Sequence, residues 1–373
     1  MHILHVVGAR PNFMKAAPVM SALAARGGTR QTLVHTGQHY DANMSRVFFR
    51  ELSLPTPDVN LEVGSGSHVA QTAEIMRRFE PAVLQNDPDL VLVYGDVNST
   101  LAAALVCAKL AVPVGHVEAG LRSFDRAMPE EMNRLLTDQI ADLLFTPSAD
   151  GDENLQREGV AAKRIHCVGN VMVDTLVRML PQAQALWSDV RSHLGLGGQY
   201  GLVTLHRPAN VDDSDCLCAL VRALVELSDS LPMVFPVHPR TRKRLQKLHL
   251  EKVPPGLRLI SPLGYVQFLA LEKHACFVVT DSGGIQEETT FLGVPCLTMR
   301  ENTERPVTLD QGTNMLVGRD VRLLRENVRR ILGGDTKHGR IPELWDGRSG
   351  ARIAEVIDRW RRTDCSRIRR NCS

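Results

Sequence analysis

The chain has 373 residues, long for one ordinary domain and comfortable for two, each able to bury a core of its own. Hydrophobic residues make up 43% and charged residues 23%, a balance that excludes a disordered chain and a coiled coil. With 44 basic against 42 acidic residues the net charge is only +2, so no whole-molecule field draws in nucleic acid or a membrane surface, and an anionic ligand must be held locally.

In chain order, residues 2–7 read as a first strand rather than a signal peptide, and 32–35, 90–94, 112–117 and 143–146 follow as further strands. Apolar residues at helical spacing over 14–25, 44–51, 68–85, 99–110 and 130–141 predict the helices between them. Strands separated by helices imply right-handed crossovers and a parallel sheet. The most apolar stretch, 101–117, is broken by Lys109 and Pro113 and cannot span a bilayer. A helix over 169–185 and a polar, Gly-rich stretch at 192–199 then separate this series from a second. The second has strands at 201–205, 233–237, 258–260, 277–280, 295–299 and 315–317, with helices at 213–227, 240–248, 265–271, 284–291 and 321–332.

The domains expected are 1–170, 171–350, and a C-terminal piece, 351–373, with a helix at 352–360 that by analogy with similar folds packs back on the first domain, and a basic tail. The eight cysteines include no C-x-x-C pair and read as reduced thiols of a cytoplasmic protein, with Cys107, Cys276 and Cys296 as small buried hydrophobes.

Ligands of open α/β sheets bind beyond the carboxyl ends of the strands, which directs attention to the polar residues there. After the first strand comes Gly8-Ala9-Arg10-Pro11-Asn12-Phe13-Met14-Lys15, where Arg10 and Lys15 bracket a helix start that favours an anion. It is neither a Walker loop nor a G-x-G-x-x-G, so a dinucleotide is not indicated. Near residue 280 an apolar strand feeds Ser282-Gly283-Gly284, whose successive N–H groups can cradle a diphosphate, and Glu288 one turn on is placed to accept from ribose hydroxyls.

A third group is acidic. Asp96, Glu118 and Glu130 follow adjacent strands and can converge on one pocket, where partly buried carboxylates move protons near neutrality; Asp125 and Glu131 read as surface groups. His206-Arg207 and His238 end successive strands of the second series and suit phosphate and proton handling. The loop 299–306 adds Arg305. No spacing typical of a catalytic metal occurs, and no Ser-His-Asp order.

Together these motifs resemble the non-hydrolysing UDP-N-acetylglucosamine 2-epimerases, in the same order through nearly the whole chain. They are GARPNFMK (8–15), GQH (37–39), GD (95–96), HVEAGLR (116–122), PEEMNR (129–134), DSGGIQEE (281–288) and TERP (303–306). The resemblance implies an α/β fold of two Rossmann-like domains in a glycosyltransferase-B-like arrangement, with the active site in the interdomain cleft. It also implies homodimers, no redox cofactor, no metal, and a place in polysaccharide biosynthesis. The chemistry implied is departure of UDP from carbon 1 as a proton leaves carbon 2, giving a glycal, then readdition on the other face to give UDP-N-acetylmannosamine.

By position, Asp96, Glu118 and Glu130 match the family's acid/base carboxylates, and His206 its catalytic histidine. Arg10, Lys15, Ser282, Gly283, Gly284, Glu288 and Arg305 match the UDP-binding set, with Phe268 against the uracil and Arg134 and His238 also on the substrate. In some bacterial members a second UDP-sugar binds as an activator near the positions of Gln38, His39 and Arg207. Where many members read His-Arg-Arg-Glu, this chain reads His206-Arg207-Pro208-Ala209. The stretch 35–49 is also similar to relatives acting on a UDP-diacetamido-glucuronate, which makes that sugar the nearest alternative substrate. A glycosyltransferase of the same architecture is the other alternative; it has no use for the three carboxylates together.

Overall fold

Strands buried along their whole length, such as His2–Val7, Leu90–Tyr94 and Phe277–Thr280, can only be inner strands of sheets covered on both faces. A computed structural model describes residues 1–38, 51–52 and 54–371, the side chains of Arg10 and of 363–371 excepted, and shows two such sheets, both wholly parallel. The chain forms two compact units, residues 1–175 with 343–373, and residues 176–342.

The first unit holds β1 (His2–Val7), β2 (Arg30–His35), β3 (Val59–Asn60), β4 (Leu90–Tyr94), β5 (Val114–Val117), β6 (Leu143–Thr146) and β7 (Ile165–Cys167), in the order β3-β2-β1-β4-β5-β6-β7. The second holds β8 (Gly201–Thr204), β9 (Met233–Pro236), β10 (Leu257–Ile260), β11 (Phe277–Thr280), β12 (Cys296–Thr298) and β13 (Asn314–Leu316), in the order β10-β9-β8-β11-β12-β13. Alternation along the strands builds a core on each face of the second sheet: Val203, Phe235 and Val279 point into one, Leu202, Val234 and Val278 into the other.

Several elements differ from expectation. The edge strands β3 and β7 were not anticipated, because runs of two or three residues, none of them fully buried, are too short to show a period. Helix Ala149–Arg157 was also missed; its sequence is almost wholly polar, and its Gly151 packs under Gly120, where a Cβ would strike the Gly151 carbonyl. The helix expected over 44–51 lies almost wholly outside the described residues. The first helix runs Arg10–Arg26 and so begins four residues early, with Pro11 in its first turn, a position where a missing N–H does no harm.

Pro18 lies inside that helix and cannot donate to the Met14 carbonyl; the buried Thr175 hydroxyl does so instead, at 2.6 Å. Thr175 belongs to helix Val171–His193, within which the two units divide. Past residue 342 the chain returns to the first unit: Trp345, 2% exposed, donates from Nε1 to the Pro147 carbonyl at 2.9 Å. The last helix, Ser349–Asn371, starts on Asp174, which accepts the N–H groups of Ser349 at 3.0 Å and Gly350 at 2.7 Å, and Arg26 pairs with its Glu355 and Asp358. Among the described residues no helix is long and apolar enough to cross a membrane. Cys107 and Cys296 are buried, and burial pushes both thiols up to about 12; Cys276, expected to be buried, is half-buried.

Candidate functional site

Each sheet reverses its winding at one pair of neighbouring strands, β1/β4 in the first unit and β8/β11 in the second, and a crevice opens beyond the carboxyl ends of such a pair. In the first unit Asn12 fastens the two loops together. Its Oδ1 accepts the N–H groups of Gly8 and Ala9, each at 3.0 Å, and its Nδ2 donates to the Tyr94 carbonyl at 2.7 Å. A Cβ on Gly8 would collide with Ser99 Oγ, which itself donates to Gln38 Oε1 at 2.7 Å. Gln38 is therefore buried behind this loop, and His39 lies outside the described residues.

Gly95 follows β4 with φ +63°, and a Cβ there would come 2.6 Å from Lys15 Nζ and 3.2 Å from Glu118 Oε2. Expected to bracket the helix start, Lys15 instead sits in the second turn of the first helix with its ammonium paired to the Glu118 carboxylate, both side chains buried. Glu118 follows β5 with φ +73°, a left-handed backbone that costs a non-glycine residue about 1 kcal/mol or more. The N–H groups of Glu118 and Ala119, both donating to the Phe145 carbonyl at 3.0 Å, hold that turn.

Asp96 takes a forked contact from Arg134, 2.6 Å from Nη2 and 3.1 Å from Nε, while Arg134 Nη1 reaches Glu131 at 2.6 Å. Glu131, expected at the surface, is 1% exposed and accepts Ser123 N–H, Ser123 Oγ–H and Phe124 N–H, each at 2.9 Å. It is the strut of the loop between β5 and helix Pro129–Ile140. Glu130 is half-buried in the first turn of that helix, one turn before Arg134, and makes no hydrogen bond to Asp96 or Glu118 among the described residues.

Beneath this strand end lies His116, fully buried, 2.6 Å from Asp138 through Nδ1 and 2.7 Å from the Gly95 carbonyl through Nε2. The other Asp138 oxygen meets Arg122 at 2.7 Å. Burial pushes the Asp138 carboxyl up, but the His116 and Arg122 charges outweigh it and hold it below its ordinary value.

In the second unit the fastening residue is Asp281, just past β11 and fully buried. Its two oxygens accept His206 N–H at 3.1 and 3.0 Å, one of them accepts Arg207 N–H at 2.9 Å and Asn210 Nδ2 at 3.1 Å, and His206 Nδ1 lies 3.0 Å away. Burial pushes the Asp281 carboxyl up, but these contacts, led by His206, bring it below its ordinary value. The His206 side chain stays 38% exposed, so Nε2 is the nitrogen turned from Asp281 and open to a ligand. The exposed His238 lies beside it, ring centroids 5.6 Å apart, and caps helix Pro239–Lys247 by accepting Arg240 N–H at 3.2 Å.

Ser282 precedes helix Gly283–Leu292, whose start is crowded by charge. A Cβ on Gly283 would lie 2.5 Å from Arg305 Nη1, so only glycine lets that guanidinium rest against the helix. Arg305 meets Glu287 at 2.8 Å and Glu304 at 2.6 Å; Glu304 also meets Arg300 at 2.7 Å and Arg207 at 3.7 Å. Three guanidinium groups interleaved with the Glu287 and Glu304 carboxylates thus stand beside the N-terminal end of the helix, whose dipole favours an anion. Burial and then the Arg300 charge lower the Arg207 pKa. Gly284 is half-buried in the first turn, and Glu288, one turn on, is buried and accepts the Tyr265 hydroxyl at 2.8 Å. Phe268, on helix Tyr265–His274, is half-buried against the core.

Sequence reasoning gave no role of their own to Asn12, His116, Asp281, Glu287 and Glu304, although each lies within a quoted motif, and Asp138 lies in none of them.

Polar loops gathered at the switch point of each parallel sheet, one with arginines at a glycine-opened helix, define an α/β enzyme for a phosphate-bearing ligand. The chain belongs to the UDP-N-acetylglucosamine 2-epimerase family, whose model matches residues 21–358. A Methanococcus maripaludis UDP-N-acetylglucosamine 2-epimerase homolog is 45% identical over 362 residues, covering 96% of this chain and 99% of that protein. A Pseudomonas aeruginosa UDP-2,3-diacetamido-2,3-dideoxy-D-glucuronate 2-epimerase is 42% identical over 363 residues, covering 96% and 99%. The crystal structure of the Methanocaldococcus jannaschii UDP-GlcNAc 2-epimerase in complex with UDP-GlcNAc and UDP has the same fold, with a TM-score of 0.88 and 41% identity over 96% of this chain and 99% of that one.

Proposed function

We propose that this protein is a non-hydrolysing UDP-N-acetylglucosamine 2-epimerase, cytoplasmic and homodimeric, that interconverts UDP-N-acetylglucosamine and UDP-N-acetylmannosamine. The observation that carries the reading is the division of labour between its two switch points. One gathers carboxylates with Lys15 and Arg134, and the other gathers arginines at a glycine-opened helix with a carboxylate-held histidine.

In this reading Asp96, Glu118 and Glu130 are the proton carriers. One takes the proton from carbon 2; the C–H electron pair becomes the C1=C2 double bond of a glycal, and the C1–O pair leaves on UDP. A proton delivered to the opposite face of carbon 2, with UDP returning to carbon 1, gives the epimer. UDP must depart and yet stay bound, which is what fixed N–H groups and the buried Arg305 guanidinium provide. Ser282, Gly283, Gly284, Arg10 and Arg305 are assigned to the diphosphate, Glu288 to the ribose hydroxyls, and Phe268 to the uracil. His206, oriented through Nδ1 by Asp281, faces the departing diphosphate oxygen with His238 beside it. Gln38, His39 and Arg207 are the candidates for an activating second UDP-sugar.

A second reading, the same chemistry on a UDP-diacetamido-glucuronate, is favoured by the Pseudomonas relative at 42% identity. Incubation with each UDP-sugar in heavy water, followed by proton NMR, separates the two. Deuterium at carbon 2 with a manno-configured product identifies the substrate. Release of free UDP and free sugar points to hydrolysis, and absence of exchange with either sugar overturns the epimerase reading.

A further inference from the structure

Glu272 has no part in the mechanism above, yet it is fully buried and neither of its oxygens has a hydrogen-bond partner. It lies on helix Tyr265–His274 against Glu288 of helix Gly283–Leu292, within hydrogen-bonding reach of it. Glu288 is itself buried and already accepts the Tyr265 hydroxyl at 2.8 Å. Two carboxylates that face each other have acceptors only; a proton on one of them is the sole donor that can join them.

The surroundings offer nothing else to neutralise the pair. Tyr265 stands on the same helix. On the next, the Glu287 charge repels that of Glu288 but is itself paired with Arg305 at 2.8 Å, and Cys296 on β12 carries a thiol that burial holds near 12. Lys273 and His274 end the helix, and His274 stacks on Trp187 at 4.2 Å. Among the described residues neither Glu272 nor Glu288 makes an ion pair. Burial raises both carboxyls above their ordinary value, the expected response of a pair that keeps one proton.

We propose that Glu272 is a positioning residue: it stays a neutral acid, donates its proton to Glu288, and with Tyr265 fixes the carboxylate that engages a ribose diol. The inference rests on the assignment of Glu288 to the ribose. The counting supports it. A carboxylate has about four lone-pair sites; Tyr265 and Glu272 fill two, and the two hydroxyls of a ribonucleotide fill the others. Loss of the shared proton at alkaline pH would set two buried negative charges together and push Glu288 off its two donors.

Calorimetric titration of the full chain with UDP, from about pH 7 to about pH 9, tests this. The proteins compared are the unsubstituted chain, Glu272→Gln, Glu272→Leu and Glu288→Gln. An amide at 272 donates at every pH, so Glu272→Gln keeps the affinity seen at neutral pH and flattens the loss that the unsubstituted chain suffers as pH rises. Glu272→Leu, folded by circular dichroism, binds about tenfold more weakly throughout, the loss of one charge-assisted hydrogen bond. Parallel pH profiles for the unsubstituted chain and Glu272→Gln would overturn the inference, as would undiminished affinity in Glu272→Leu. Undiminished affinity in Glu288→Gln would instead remove the ribose assignment, and the role of Glu272 with it.

Discussion

Glu118 combines a left-handed backbone, a buried carboxylate and a lysine partner in one residue, and strain of this kind persists only where the surroundings over-determine it. If it carries the proton, Glu118→Gln keeps the shape and removes the chemistry. Turnover should fall by about 10²–10⁴-fold, with UDP affinity by calorimetry nearly unchanged. Wild-type turnover in this variant would end its assignment. Asp281 is tested by its acceptors. Asparagine in its place turns an NH₂ toward groups that all donate, the N–H groups of His206 and Arg207 and the Asn210 amide. Asp281→Asn should lower kcat by about 10²-fold through a misdirected His206, and leave the UDP dissociation constant within a few-fold. Equal losses in both would mean that the loop, not the histidine, had moved. At this scale much was legible: His206, Glu118 and Gly283 stand at strand and helix ends, where sequence already pointed. Glu131 was not, since an acid in the first helical turn reads as solvated until the fold turns it under Ser123.

Helix Arg10–Arg26 shows how an element is completed by another far along the chain. Pro18 leaves the Met14 carbonyl without its helical donor, and the Thr175 hydroxyl supplies one from 161 residues away. Thr175→Val should therefore destabilise the protein by about 1–3 kcal/mol in urea unfolding, the range for a buried acceptor left without a partner, and Thr175→Ser should recover most of it. Equal stability of the valine variant would show that the carbonyl is satisfied otherwise. The elements found from sequence were those long enough to repeat a pattern. Helix Val321–Leu332 matches its expected bounds, whereas β3, β7 and the polar helix Ala149–Arg157 have too few apolar residues to announce themselves.

At the scale of the whole molecule, buried groups in the two units, His5 in one and Glu288 with Glu272 in the other, titrate in opposite senses. In the first, burial drives the His5 pKa from 6.5 to about 3 while its Nδ1 bonds the Tyr94 hydroxyl at 2.7 Å. The unfolded chain takes up this proton first, so stability there falls as pH drops below 6.5. In the second, burial lifts Glu288 from 4.5 to about 7 and raises Glu272 with it. There the folded chain holds protons that the unfolded chain releases, so stability falls as pH rises across that interval. Hydrogen-exchange protection factors between about pH 6.5 and 4.5 should then fall for amides of β1 and β4 and rise for those of β11 and β12. Parallel change in both sheets would contradict these shifts.

What the sequence determined by itself was local: alternating strands and helices, the parallel sheets they require, the residues at strand ends, and the motifs that mark the family. These follow from period, turn chemistry and spacing along a few adjacent residues. Only the tertiary structure decided which polar groups meet, namely Lys15 with Glu118, Arg134 with both Asp96 and Glu131, Arg305 across Gly283, and Glu272 against Glu288. Such pairings join residues on different elements, and burial sets their energies; no pattern read along one segment carries either.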